Sequence, residues 1–232
     1  MTNNNLDIRV YPVDAPKGNT LAFASVSIDD LAAIRGVRVV NSVKGPFVAM
    51  PQSKDKDGNY HDVAFPLTGD LRKAISAATI EEYGRQSKLS PDQRGYGKPD
   101  EGVSSGRNAD NVKLDVKVYP LAEPQGNTLA FVNVGIDNVM AINGIRIIEG
   151  SKGMFVSMPQ SKDQDNKFHD IAFPLSGDLR RAISDAAIDG YKQQAAEQKK
   201  GISGRLADGK AQAAQYAAKP RSAAKKPPGL GD

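Results

Sequence analysis

Displaced by 108 residues, the 232-residue sequence matches itself without a gap from Leu6/Leu114 to Tyr83/Tyr191, and 46 of the 78 aligned pairs are identical. A gapless match preserves every turn length, so a whole folding unit is duplicated rather than a short motif. The period lies far beyond the roughly 20–50 residues of stacked solenoid repeats, which leaves two similar domains in tandem. The first repeat occupies 1–83 and the second 114–191. Between them, 84–113 is rich in Gly, Ser, Pro and charge and reads as a flexible linker. The end, 192–232, holds much Ala, Lys and Pro and reads as a basic, largely disordered tail.

Within each repeat the pattern is strands first, then a helix. The stretch 6–12, LDIRVYP, alternates Leu6, Ile8 and Val10 with Asp7, Arg9 and Tyr11, the period of a half-buried strand. In 19–29, Ala22, Ala24, Val26 and Ile28 share one face, after a turn at Pro16–Asn19. Two further strands are expected at 34–42 and 46–52, joined by a turn at Lys44-Gly45. A hairpin follows, with Asp57-Gly58 at its tip where positive φ is wanted, and Asn166 takes the glycine's place in the second copy. After Pro66, Thr68 is a candidate N-cap, and Leu71, Ala74, Ile75 and Ala78 make a helical stripe. The fold class is therefore α+β: two tandem small domains, each a mainly antiparallel β-sheet with a C-terminal α-helix.

The two histidines, His61 and His169, are each followed by Asp, which invites an acid/base or metal reading. Adjacent strand residues point to opposite faces, so His61 and Asp62 do not share a ligand, and no further His or Cys completes a metal set. Asp55, Asp57, Gly58 and Asn59 resemble a calcium loop only faintly and fit a turn better. No phosphate-binding glycine loop, nucleophile elbow or zinc-protease motif is present, so a non-enzymatic protein without metal or cofactor is expected. The absence of cysteine, of a signal peptide and of a spanning segment points to a cytoplasmic protein with no membrane partner.

The net charge of +4 is unevenly placed. Residues 6–83 carry 9 basic against 10 acidic side chains and 114–191 carry 7 against 10, whereas the linker has 6 against 4 and the tail 9 against 3. Cationic positions nevertheless recur in both copies. Lys54 and Lys162 project from the hairpins, Lys44 and Lys152 sit at turns, and Arg72, Lys73, Arg180 and Arg181 fall in the first helical turns. With Lys225 and Lys226 of the tail they form the candidate nucleic-acid-binding set.

At these residues the repeat resembles the SpoVG family of septation and sporulation regulators. The likeness is carried by LAFASVSIDD, IRGVRVVNSVKGPFVAMP, DGNYHDVAFPL and GDLRKAISAATIEEY, and again by LAFVNVGID, INGIRIIEGSKGMFVSMP, FHDIAFPL and GDLRRAISDAAIDGY. The resemblance implies a small dimerising domain that binds DNA or RNA and regulates gene expression, division or sporulation-like development. Family members carry a basic pair in the loop after Met-Pro; here one cation remains, Lys54 or Lys162, beside Asp55, Asp57, Asp163 and Asp165. If single units dimerise, a tandem chain supplies both halves as an intrachain pseudo-dimer. A 30-residue tether reaches about 30 Å, enough for the domains to meet. A homo-oligomer of chains is the other assembly, and a protein-interaction or scaffold module with a protein partner is the other functional class.

Overall fold

The computed structural model describes residues 4–16, 18–55, 57–94, 107, 109–162 and 165–217, with side chains described as far as 197. The chain forms two compact units, Met1–Tyr191 and Lys192–Asp232, and both repeats fall in the first.

Each repeat begins with an antiparallel meander. In the first it consists of β1 (Leu6–Pro12), β2 (Thr20–Ile28) and β3 (Ala32–Val40), and β4 (Phe47–Ala49) returns along β3. Alternation sends Ala22, Ala24, Val26 and Ile28 of β2 into the core and leaves Phe23 half exposed on the outer face. The stretch 46–52, expected as one strand, divides. Pro51 has no N–H for the ladder, so pairing with β3 stops at Ala49 and β5 (Gln52–Lys54) starts a separate hairpin with β6 (Tyr60–Asp62). At its tip Gly58 has φ +90°, and Asn166 has φ +61° in the second copy.

After the hairpin the chain leaves its own sheet. The strand β7 (Ala64–Pro66) pairs with β10 (Met140–Gly150) of the second repeat, with Ala64 opposite Ile142 and Pro66 opposite Met140. The second repeat returns the exchange. Its strands β8 (Leu114–Gln125), β9 (Thr128–Ile136), β10 and β11 (Gly153–Ser157) repeat the meander, and β12 (Gln160–Lys162) and β13 (Phe168–Asp170) repeat the hairpin. Then β14 (Ala172–Pro174) pairs with β3, setting Ala172 opposite Ile34. Backbone bonds from Leu67 N to the Val139 carbonyl (2.8 Å) and from Leu175 N to the Leu31 carbonyl (2.9 Å) extend both crossings. Each five-stranded sheet is thus completed by a strand from the other repeat.

A helix closes each repeat. In α1 (Gly69–Gln86), Thr68 Oγ1 accepts from the N–H of Leu71 at 3.2 Å, and in α2 (Gly177–Ala217) Ser176 Oγ accepts from Leu179 N–H at 3.1 Å. The buried stripe of α1 is Leu71, Ile75, Thr79 and Gln86, whereas Ala74 of the expected stripe faces solvent. One apolar cluster joins both repeats, from Ile28, Ile34, Val37 and Ile75 to Ile136, Ile142, Ile145 and Ile183.

The segments outside the repeats are described in part. The linker's first end continues α1 to Gln86 and a turn, and Arg94 pairs with Asp14. At the other end, Arg107 N–H donates to the Asp30 carbonyl at 3.0 Å and its guanidinium lies 3.4 Å from Asp137. Local polar contacts thus tie the described ends of the segment to the repeats. The tail, read from sequence as largely disordered, is helical over its described part to Ala217, and its Ala, Gln and Lys favour helix. The remaining tail, 218–232, lies outside the described residues.

Because sheets and core are shared, residues 1–191 are expected to unfold as one cooperative unit. Ile142, fully buried in the second repeat opposite β7, is the test position. Ile142→Ala should cost about 2–5 kcal/mol and shift a single calorimetric transition as a whole. Two separated transitions, one unchanged, would contradict a shared fold.

Candidate nucleic-acid interface

The strand β3 carries a defect that positions the site. On β2 only Ser25 lies between Ala24 and Val26, yet on β3 both Arg35 and Gly36 lie between their partners Val37 and Ile34. That extra residue is a β-bulge, and Gly36 at φ +71° meets its positive-φ requirement. Bulges re-aim side chains, and here the re-aimed one is Arg35. Its N–H donates to the Ile171 carbonyl at 2.7 Å, and its guanidinium lies 4.4 Å from the centre of the Phe173 ring on the exchanged strand β14. Burial pulls the Arg35 guanidinium below its ordinary value, while Asp170 and Tyr11 act in the opposite direction.

Around Arg35 two hollows open between the repeats, of about 390 and 440 Å³. The first is lined by Arg38, Gln52 and Tyr60 from the first repeat with Ser161 and His169 from the second. The other is lined by Phe168, Phe173 and Arg180. Arg35, His169 and Asp170 line both, so they form one groove running from one hairpin to the other. Among the described residues its formal charges are three cations, Arg35, Arg38 and Arg180, against one carboxylate, Asp170.

The related cleft under the first hairpin differs. The bulge recurs at Asn143-Gly144, but Asn143 replaces the arginine and its side-chain amide donates to the Asp62 carbonyl at 3.1 Å. Lys54, Asp55, His61, Asp62, Gln125, Phe131, Asn133 and Asn143 line this cleft, giving one lysine against two carboxylates among the described residues.

The residues expected from sequence scatter around this frame. Lys54 and Lys162 are exposed on the hairpins with their ammonium groups 5.7 Å and 5.0 Å from the centres of the Tyr60 and Phe168 rings, directly across each ladder. Arg72 and Arg180 reach back to the hairpins rather than simply presenting the helix start, bonding Asp62 at 3.3 Å and Asp170 at 3.1 Å. Those carboxylates also accept from Gln52 and Gln160, so each arginine fastens hairpin to helix. Of the two, Arg180 lines the groove. Lys73 and Arg181 are exposed, with Arg181 3.7 Å from Asp178, and Lys44 and Lys152 sit at exposed turns that do not line it. Lys225 and Lys226 lie outside the described residues. Sequence reasoning passed over Arg35 as a site residue, although an isolated glycine inside a strand pattern, Arg35-Gly36, is the signal of a bulge.

The histidine phrase resolves as a local turn. His61 Nε2 lies 2.7 Å from Asp55, not from Asp62, and Asp55 also accepts from the Asn59 N–H at 2.8 Å. No three His, Asp or Glu side chains converge as a metal set among the described residues.

The SpoVG family model matches residues 4–85 and again 112–193. The chain belongs to the SpoVG family. Relatives named septation protein SpoVG include one from Myxococcus xanthus, 38% identical over 82 residues, or 35% of this chain and 81% of the relative. A Staphylococcus aureus relative is 37% identical over 79 residues, covering 34% of this chain and 78% of its own. For the Symbiobacterium thermophilum relative, 40% identical over 67 residues, the match spans 29% of this chain and about half, 48%, of the relative. These alignments each have about the length of one repeat, so this SpoVG chain carries the family unit twice. No helix among its described residues is long and apolar enough to cross a membrane.

The His61 bond, reinforced by Asn59, holds the Asp55 carboxyl below its usual range. A depressed carboxylate contributes stability above its unfolded value and loses it as pH falls through the folded one. His61→Ala should therefore raise the Asp55 titration midpoint toward that of an ordinary aspartate in a carbon-detected NMR titration, flattening the acid limb of hairpin stability. An unmoved midpoint would refute the pairing.

Proposed function

We propose that this SpoVG-family chain is a non-enzymatic, cytoplasmic regulatory protein that binds nucleic acid, DNA or RNA, as expected of regulators of gene expression, division or sporulation-like development. The observation that carries the reading is the groove around Arg35, where three arginines face one carboxylate inside a unit whose repeats are otherwise mildly acidic. Local concentration of guanidinium groups, rather than net charge, is what phosphate oxygens need. Tail residues 192–232, with 9 basic against 3 acidic side chains, add sequence-independent attraction. The two repeats together supply the groove, so the chain acts as its own pseudo-dimer.

A protein partner is the second reading, favoured by Phe47 and Phe155, which are half exposed and line neither hollow of the groove. A partner captured after nuclease treatment would support it.

Binding to random DNA and RNA pools at two salt concentrations tests the main reading. Each neutralised phosphate contributes a slope of about −0.9 on duplex DNA or −0.7 on single strands in log affinity against log salt. Arg35→Ala and Arg38→Ala should each flatten the slope by about one such increment, and deletion of 192–232 should flatten it further. Absence of binding to either pool at about 50 mM salt would overturn the reading.

A further inference from the structure

The groove's ends are aromatic. Tyr60 closes one hollow and Phe168 the other, and these are the most exposed rings among the described residues, at 65% and 61%. Apolar rings are ordinarily covered, so two of them left open at opposite ends of a cationic groove call for a ligand with flat faces. Between them, the Arg35 guanidinium already lies over Phe173, adding a planar cation part-way along. Lys54 and Lys162 stand over the terminal rings and place a positive charge beside each.

Paired duplexes hide base faces inside the stack and offer a protein mainly phosphates and base edges. An unpaired strand exposes base faces and phosphates in alternation. The hollows, about 390 and 440 Å³, are of small-ligand size and suit single bases better than a double helix. The opposite cleft differs: its bulge carries Asn143, and among the described residues its carboxylates outnumber its lysine.

We infer that the groove holds one unpaired nucleic-acid strand per chain, its bases stacked on Tyr60 and Phe168 and its phosphates held by Arg35 and Arg38. The inference rests on the nucleic-acid reading above and narrows it to the form of the ligand and the number of sites. Arg180, tied to Asp170, borders the strand at the Phe168 end.

Fluorescence anisotropy with labelled single-stranded DNA and RNA of about 12 nucleotides, and with the matching DNA duplex, tests it on the full chain. Both single strands should bind more tightly than the duplex, at one strand per chain; a difference between them assigns the sugar. Tyr60→Ala and Phe168→Ala should each weaken single-strand binding by roughly 5- to 150-fold, the equivalent of one lost base stack. Tyr60→Phe should retain it. Tyr119→Ala, which removes a half-exposed ring that does not line the groove, should leave binding unchanged. Circular dichroism of each variant confirms the fold. Duplex bound as tightly as single strands, two strands per chain, or ring deletions without effect would overturn this inference and leave nucleic-acid binding standing. Failure to bind any of the three would overturn both.

Discussion

The three-residue ladders β14–β3 and β7–β10 are the contacts on which the rest of this SpoVG fold depends. Each occupies three residues of one strand's outer edge, in a strand of 9 residues on β3 and of 11 on β10. On β3, residues Ala32–Ile34 take the exchanged strand, and Arg38–Val40 take the repeat's own β4. Without the exchange, one end of a largely buried strand would present unpaired N–H and C=O groups beside an apolar core, a costly arrangement. Fully buried Ala64 and Ala172, with no side chain beyond Cβ, let the visiting strands lie close. The same exchange brings each hairpin against the other repeat's sheet, so groove and fold have one cause.

Much of this was legible along the chain. The alternation in β1 and β2, the Asp57-Gly58 tip, the Thr68 cap and the duplication are local patterns, and each reports on a local structure. The α+β architecture followed from them, and the motif stretches themselves carried the family likeness. Periodicity could say that Ala64–Pro66 was a strand, but not which edge receives it, because an edge is chosen by partners far away in sequence. The stripe of α1 was misread at Ala74 for the same reason: Thr79 is buried by the sheet beneath it, although its hydroxyl argues for the surface.

The candidate site was less legible. Lys54, Lys162 and Arg180 were identified as cations, but their assignments to rings and carboxylates depend on cross-strand and helix–hairpin neighbours. Arg72 and Arg180 fell in helical first turns, where phosphate contacts were expected, but that they also fasten Asp62 and Asp170 depends on the hairpins they reach. Arg35 was not among the cations expected to bind; the bulge that aims it between the repeats sets it apart. Net charge could not locate the groove either, because the tail dominates the sum while the groove's arginines sit in a mildly acidic unit.

The bulge pair has a consequence beyond geometry. In an assembly of two identical chains, any substitution at this position appears on both faces, and the two sites rise or fall together. Fusing the halves into one polypeptide removes that coupling: Arg35 and Asn143 occupy corresponding places yet are encoded separately. One face can be tuned for a ligand while its counterpart is tuned for packing, as the Asn143 amide on the Asp62 carbonyl shows. Covalent linkage thus turns a symmetric architecture into one whose two faces are free to specialise.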